Sequence, residues 1–115
     1  MKSDIDFLID KLVRFRDERN WAQFHNGKDL ALALSVETAE LLELFLWKDE
    51  ADVEPDRLKE ELADVFAFAL LLANKYKFDV QRIVSDKIES NGKKYPVRLA
   101  KGNAKKYTDL TNGNL

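Results

Sequence analysis

The chain has no cysteine, which excludes disulfides and thiolate metal sites and fits a reducing cytoplasm. It has a single histidine, His25, which does not stand three residues after any glutamate. Di-iron bundles built on Glu-x-x-His pairs are therefore excluded. No glycine-rich segment of the G-x-x-x-x-G-K-[ST] type is present, so a P-loop is excluded as well. The longest uncharged run, Val65 to Asn74, is too short to span a bilayer, and no membrane association is expected. Asp4, Asp6 and Asp10 interrupt the first apolar pattern, so no signal-peptide layout is expected there. Strand alternation, internal repeats and low-complexity segments are also lacking.

What is present describes a globular protein: 115 residues, 45% hydrophobic and 35% charged. That length predicts one domain over residues 1–115, large enough for its own core yet small enough to gain from association. The net charge of −2 is unevenly spread. From Lys93 onward six basic residues stand against Asp109 alone, a local balance of +5 that leaves the first 92 residues at −7. A basic tail can bind nucleic acid, but this one is short and contains one arginine. A phosphate-bearing small ligand suits it better, and no stable nucleic-acid partner is expected.

Helical periodicity organises the chain. Ser3 and Asp6 form an acidic version of a capping box, and Ile5, Leu8, Ile9, Leu12 and Val13 predict a helix to about Arg19. A loop holding Trp21, Phe24 and His25 follows; these rings either plug the end of the core or contact a ligand. Asn26 caps a second helix that is expected to run to Lys48, with Trp47 at its end. After an acidic linker, Pro55 opens a third helix reaching about Lys77. Its second half, Val65 to Ala73, is apolar all round and predicts burial on every side, hence a homo-oligomer using that surface. Asp79 is expected to cap a fourth helix ending near Asn91-Gly92, with Gly92 as the C′ residue. Beyond about residue 93 the chain reads as an irregular basic tail. Four helices with short links make an all-α bundle.

Two of these helices carry paired carboxylates: Glu37 and Glu40 in the second, Glu61 and Asp64 in the third. Residues three apart lie about 60° apart around a helix, one turn along, so each pair can address one spot. The ordinary fate of such a pair is a solvated helix face. Here both pairs adjoin the most apolar stretches of the chain, where uncompensated carboxylates are costly. A hard divalent cation would offset them, and all-oxygen ligation suits Mg2+ or, as a substitute, Mn2+. Glu43 and Glu60 flank the pairs as further acids. Magnesium beside basic residues suggests chemistry on a di- or triphosphate.

Glu-x-x-Glu followed by Glu-x-x-Asp, with residues 41–60 between, resembles the signature of the MazG-like all-α nucleoside triphosphate pyrophosphohydrolases. The likeness extends to the dCTP pyrophosphatase branch through Arg19 to His25, Glu40 to Lys48, Glu60 to Val65, then Lys87, Asn91, Lys94-Tyr95-Pro96 and Lys106 to Leu110. Nearly the whole chain is covered. At Thr38-Ala39 it departs from close relatives, which often carry glycine there. The resemblance implies a four-helix bundle assembled into a homodimer or homotetramer, with Mg2+ on Glu37, Glu40, Glu61 and Asp64. It implies that one of the glutamates activates or helps to activate water. It further implies that Lys87, Asn91, Lys94 and Tyr95 grip phosphates and sugar, and that Trp21, His25 and Trp47 enclose a pyrimidine.

The expected function is accordingly magnesium-dependent cleavage of the α–β phosphate bond of dCTP or a modified deoxycytidine triphosphate in the cytoplasm. The alternatives are a pyrophosphohydrolase of other nucleotide specificity, or a non-catalytic helical module whose acids hold structural cations.

Overall fold

The computed structural model describes residues 1–112, and among these every regular element is helical. Six α-helices follow in order: α1 (Asp4–Glu18), α2 (Gly27–Glu43), α3 (Pro55–Lys75), α4 (Val80–Lys94), α5 (Val97–Ala100) and α6 (Tyr107–Asn112). The expected all-α class holds. The chain divides into two compact units, one from Met1 to Val80 and one from Gln81 onward. No described helix is long and apolar enough to cross a membrane.

Local chemistry explains the helix starts. Asp6 N donates to Ser3 Oγ at 3.2 Å and Ser3 N donates to Asp6 Oδ2 at 3.1 Å, the reciprocal capping box expected for α1. Asn26 Oδ1 accepts from Asp29 N at 2.8 Å at the start of α2, and Pro55 stands at the start of α3. The ends of α1 and α3 share one device. Asn20 (φ 55°) and Lys77 (φ 57°) take the left-handed conformation just past the helix. Trp21 N then donates to Arg16 O at 3.0 Å, and Phe78 N to Ala73 O at 2.9 Å. Both are Schellman closures, which set the residue after the turn against the last helical turn. Trp21 is thereby folded back beside Arg16.

In the first unit α2 packs along α3, with α1 against α3 to a smaller extent. The core gathers Leu30, only 2% exposed, with Leu44, Val53, Leu71 and Ala73. Gly27, the first residue of α2, is passed so closely by Tyr76 that a Cβ there would overlap its hydroxyl. The Tyr76 ring is stacked on Phe78, with centroids 5.7 Å apart.

Four expectations need correction. First, α2 ends at Glu43 rather than Lys48. The chain tightens into three-residue turns (Phe45 N to Leu42 O, 2.9 Å; Leu46 N to Glu43 O, 3.2 Å) and reverses at Trp47 with φ 61°. Second, the apolar half of α3 is not buried all round within one chain. Leu71 and Ala73 are, but Phe66 is 60% exposed, because α1 and α2 leave that side uncovered. Third, Gly92 does not stop α4. The helix runs to Lys94, Tyr95 N still donating to Asn91 O at 2.8 Å, and ends before Pro96, whose ring disfavours a helical residue ahead of it. Fourth, the tail is not irregular throughout, since it forms α5 and α6. Leu110 is buried, and the Tyr95 and Tyr107 rings meet edge to face at 6.1 Å. Positions 113–115 of that tail lie outside the described residues.

Candidate functional site

Packing of α2 on α3 brings the two carboxylate pairs together. One carboxylate oxygen from each of Glu37, Glu61 and Asp64 lies within 4.8 Å of the others. Glu40 stands outside that trio but within reach of both glutamates. Glu37 is held above the ordinary carboxylate range by burial first, then by the approach and charge of Glu40, then by Asp64 and Glu61. Glu61 is raised by burial and by the charges of Glu40 and Asp64, with Arg57 pulling the other way. Among the described residues, Oε2 of Glu37 and Oε2 of Glu61 are buried and have no hydrogen-bond partner. Clustered carboxylates with such orphaned oxygens fit a cation. The donor set is all oxygen, which fits Mg2+ or Mn2+.

Two cavities of opposite character adjoin this cluster. The first, of about 380 Å3, lies between α1, the link after it and α3. Leu12, Phe15 and Arg16 line it from α1, Trp21 and His25 from the link, and Asp64, Phe68 and Leu71 from α3. Asp64 thus belongs both to the acid cluster and to the wall of an aromatic cavity. Phe15 and Trp21 meet at 71° with centroids 5.7 Å apart, and the Arg19 guanidinium lies 3.6 Å from the centre of the Phe15 ring. Arg19 also donates to Phe15 O at 2.9 Å, so this wall is held from behind. His25 is pushed below its ordinary range by burial and by the charge of Arg16, and its Nδ1 is buried with no partner among the described residues. The second cavity, of about 300 Å3, is lined by Glu40, Glu43, Leu44, Lys48, Arg57 and Glu61. It is polar and shares Glu40 and Glu61 with the cluster.

The structure brings Trp21 and His25 into one cavity next to Asp64, and it does not bring Trp47 there. Trp47 is 94% exposed in the turn after α2. Lys87, Asn91 and Lys94 fall on α4 at spacings of four and three, which places them on one helical face, and Tyr95 follows the helix. Lys94 lies 5.1 Å from the centre of the Tyr107 ring. All four belong to the second unit.

Sequence reasoning missed Arg16, Phe15 and Phe68 in the aromatic cavity and Arg57 in the polar one. The signal for Arg16 was available: it stands four residues after Leu12 and seven after Ile9, a charge on the apolar stripe of α1. Arg57 stands four residues before Glu61 and so shares its helix face.

Comparison with known proteins agrees with this geometry. The family model described as "MazG-like family" matches residues 32–110. The dCTP pyrophosphatase 1 of Rattus norvegicus is 43% identical over 111 residues, 90% of this chain and 65% of the relative. That of Homo sapiens is 38% identical over 109 residues, 88% of this chain and 64% of the relative. The chain therefore spans slightly less than two thirds of the length of these relatives. The crystal structure of a pyrophosphatase from Archaeoglobus fulgidus DSM 4304 superposes with a TM-score of 0.77 at 35% identity, covering 84% of this chain and 95% of that one.

Proposed function

This chain belongs to the MazG-like family, and from that premise we propose that it is a magnesium-dependent nucleoside triphosphate pyrophosphohydrolase acting on dCTP or a modified deoxycytidine triphosphate. One observation carries the reading: an acid cluster with orphaned buried oxygens shares Asp64 with an aromatic cavity large enough for a base. The names of the relatives, dCTP pyrophosphatase 1, point to the same substrate.

Glu37, Glu61 and Asp64 would hold the cation, with Glu40 closing the acidic ring. Once bound, the ion neutralises phosphoryl charge and makes a nearby water more acidic. The chain's own residues do the rest. A carboxylate of the ring orients the water and accepts its proton as the water oxygen bonds to phosphorus. The bridging α–β oxygen leaves with pyrophosphate, and the monophosphate remains. Trp21, Phe15 and Phe68 offer apolar faces to the base. Lys48 and Arg57 line the polar cavity and are suited to phosphate; taken by itself, the second unit offers Lys87, Asn91, Lys94 and Tyr95, whose side chains suit phosphate and sugar. Activated this way, no nucleophilic side chain and no covalent intermediate are needed.

The same reading includes a homodimer or homotetramer. Its support is the open apolar surface of α2 and α3, where Val36, Leu42, Leu62 and Phe66 are exposed.

The test is pyrophosphate release from dCTP with and without Mg2+, in wild type and in Glu40→Gln. The reading expects metal-dependent turnover in wild type and near-complete loss in the variant with folding retained. Wild-type turnover by Glu40→Gln at saturating Mg2+ would remove the acidic ring from the chemistry. Binding of Mg2+ without turnover of any triphosphate would favour a structural cation site.

A further inference from the structure

We infer that Arg16 is the specificity-determining residue of the aromatic cavity, selecting cytosine over uracil and thymine by demanding two adjacent hydrogen-bond acceptors on the base edge. The inference rests on the pyrophosphohydrolase reading for its substrate class and goes beyond it in naming the group that discriminates.

The cavity wall is aromatic and aliphatic except at three points: Asp64, on the side of the acid cluster, and Arg16 and His25. The Arg16 side chain is only 19% exposed, and Nε is committed to Asp17 Oδ1 at 2.9 Å. That ion pair fixes the plane of the guanidinium. Among the described residues its two terminal nitrogens make no hydrogen bond, so a planar pair of donors at the cavity wall is open to a ligand. The Schellman turn after α1 explains why the fork is where it is, since it sets Trp21 against the same last turn that carries Arg16.

A guanidinium has donors and no acceptor, so the base must present acceptors to it. Cytosine offers N3 and O2 side by side, matching the fork as the O6 and N7 of guanine match an arginine in DNA recognition. Uracil and thymine carry N3–H at that position, which would set donor against donor and leave a terminal N–H of the guanidinium unpaired. Polar sites reject ligands that leave a buried partner unpaired far more strongly than apolar pockets reject a missing methylene. Lysine cannot substitute, because an ammonium is a point charge without the planar fork.

The experiment compares kcat/KM for dCTP, dUTP and dTTP in wild type, Arg16→Leu and Arg16→Lys, with Mg2+-induced thermal shift as a check on the acid cluster. The expected result is a wild-type preference for dCTP that falls roughly tenfold to hundredfold in Arg16→Leu. dUTP turnover should not fall with it and should rise as the donor–donor clash is removed. Arg16→Lys should keep the fold and the metal response without restoring the preference. Equal losses on dCTP and dUTP, or an unchanged ratio, would overturn the inference and leave Arg16 as a wall residue. If wild type hydrolyses no triphosphate, the functional reading fails, and the inference is then judged separately by binding. Quenching of tryptophan fluorescence by dCMP and dUMP reads the same ratio without turnover. A wild-type preference for dUMP, or none, refutes it there too.

Discussion

Replacing Trp47 separates a role in the site from a role in the core more sharply than any other change. The side chain is 94% exposed and the backbone stands at φ 61°, so within one chain the indole contributes strain and almost no burial. A left-handed non-glycine residue costs about 1–2 kcal/mol, and glycine's extra freedom in the unfolded chain returns roughly 0.5–1 kcal/mol of that. Trp47→Gly should therefore gain about 0.5–1 kcal/mol, a rise in Tm of a few degrees for a domain of this length. Trp47→Ala keeps the strained backbone and loses no packing, so its stability should stay within about 0.5 kcal/mol of wild type. Base stacking on tryptophan is worth ~1–3 kcal/mol. If Trp47 helps to enclose the pyrimidine, both variants raise KM for dCTP roughly tenfold to hundredfold and change kcat much less, because the base is remote from the bond that breaks. The assay is thermal unfolding, light scattering and steady-state kinetics on the same preparations. Unchanged KM would remove Trp47 from the site. A Tm fall of ten degrees or more with altered assembly would show an interface residue instead.

Three further outcomes follow from the geometry. Glu37 and Glu61 are raised above the ordinary carboxylate range, so the metal-free fold binds their protons more tightly than the unfolded chain does; the stability they contribute is full below that range and is lost as pH rises through the raised values. Glu61→Gln should accordingly gain stability over metal-free wild type at neutral pH but not at acid pH, and should lose the Mg2+ thermal shift, which for wild type at a hundred times Kd is about 2.7 kcal/mol or roughly ten degrees; an undiminished shift in the variant refutes the site. Gly27→Ala must displace the Tyr76 ring from its stack on Phe78 and should cost about 1 kcal/mol, a cost that a double-mutant cycle with Tyr76→Leu should abolish. Leu30→Ala, at the most buried position of the core, should cost about 2–5 kcal/mol in chemical denaturation, and a cost below 1 kcal/mol would contradict the packing of α2.

What could be read in advance was local. The Ser3–Asp6 and Asn26–Asp29 caps and Pro55 act over three or four residues, and each stands where expected. The acid pairs were legible for the same reason, since i, i+3 spacing alone puts two side chains on one helix face. Misreadings arose where tertiary packing outweighed a local signal. Nothing in Leu44 to Lys48 marks a helix end, because the left-handed residue there is a tryptophan and neither glycine nor proline. Gly92 carries the usual mark of a helix end, yet Pro96 is what stops α4. The short α5 and α6 bring together Tyr95 and Tyr107 from either side of an apparently shapeless stretch. Spacing also gave four acids equal weight, whereas packing draws three together and leaves Glu40 to press on two of them.

The same distinction explains why the acid cluster was legible in the sequence and the character of its two flanks was not. A stripe along α3 runs through Arg57, Glu61, Asp64, Phe68 and Leu71 at spacings of four, three, four and three, so one helix face passes from cation through acids to aromatic and aliphatic groups over about 21 Å. That gradient exists in the sequence, but it acquires meaning only when α2 covers one end and α1 the other. α2 adds Glu40 and, through the turn beyond it, Lys48, which makes the Arg57 end a polar cavity. α1 adds Leu12, Phe15 and Arg16, which makes the Leu71 end an apolar cavity containing a single fork of donors. With a cation on the acids, a cluster between two such ends would suit the ligand proposed above, a polyanion at one extremity and a flat ring at the other. The carboxylates alone are compatible with any hard cation and any phosphate ester. It is the asymmetry of the flanks, set by which helix covers which end of α3, on which the proposed nucleotide reading rests.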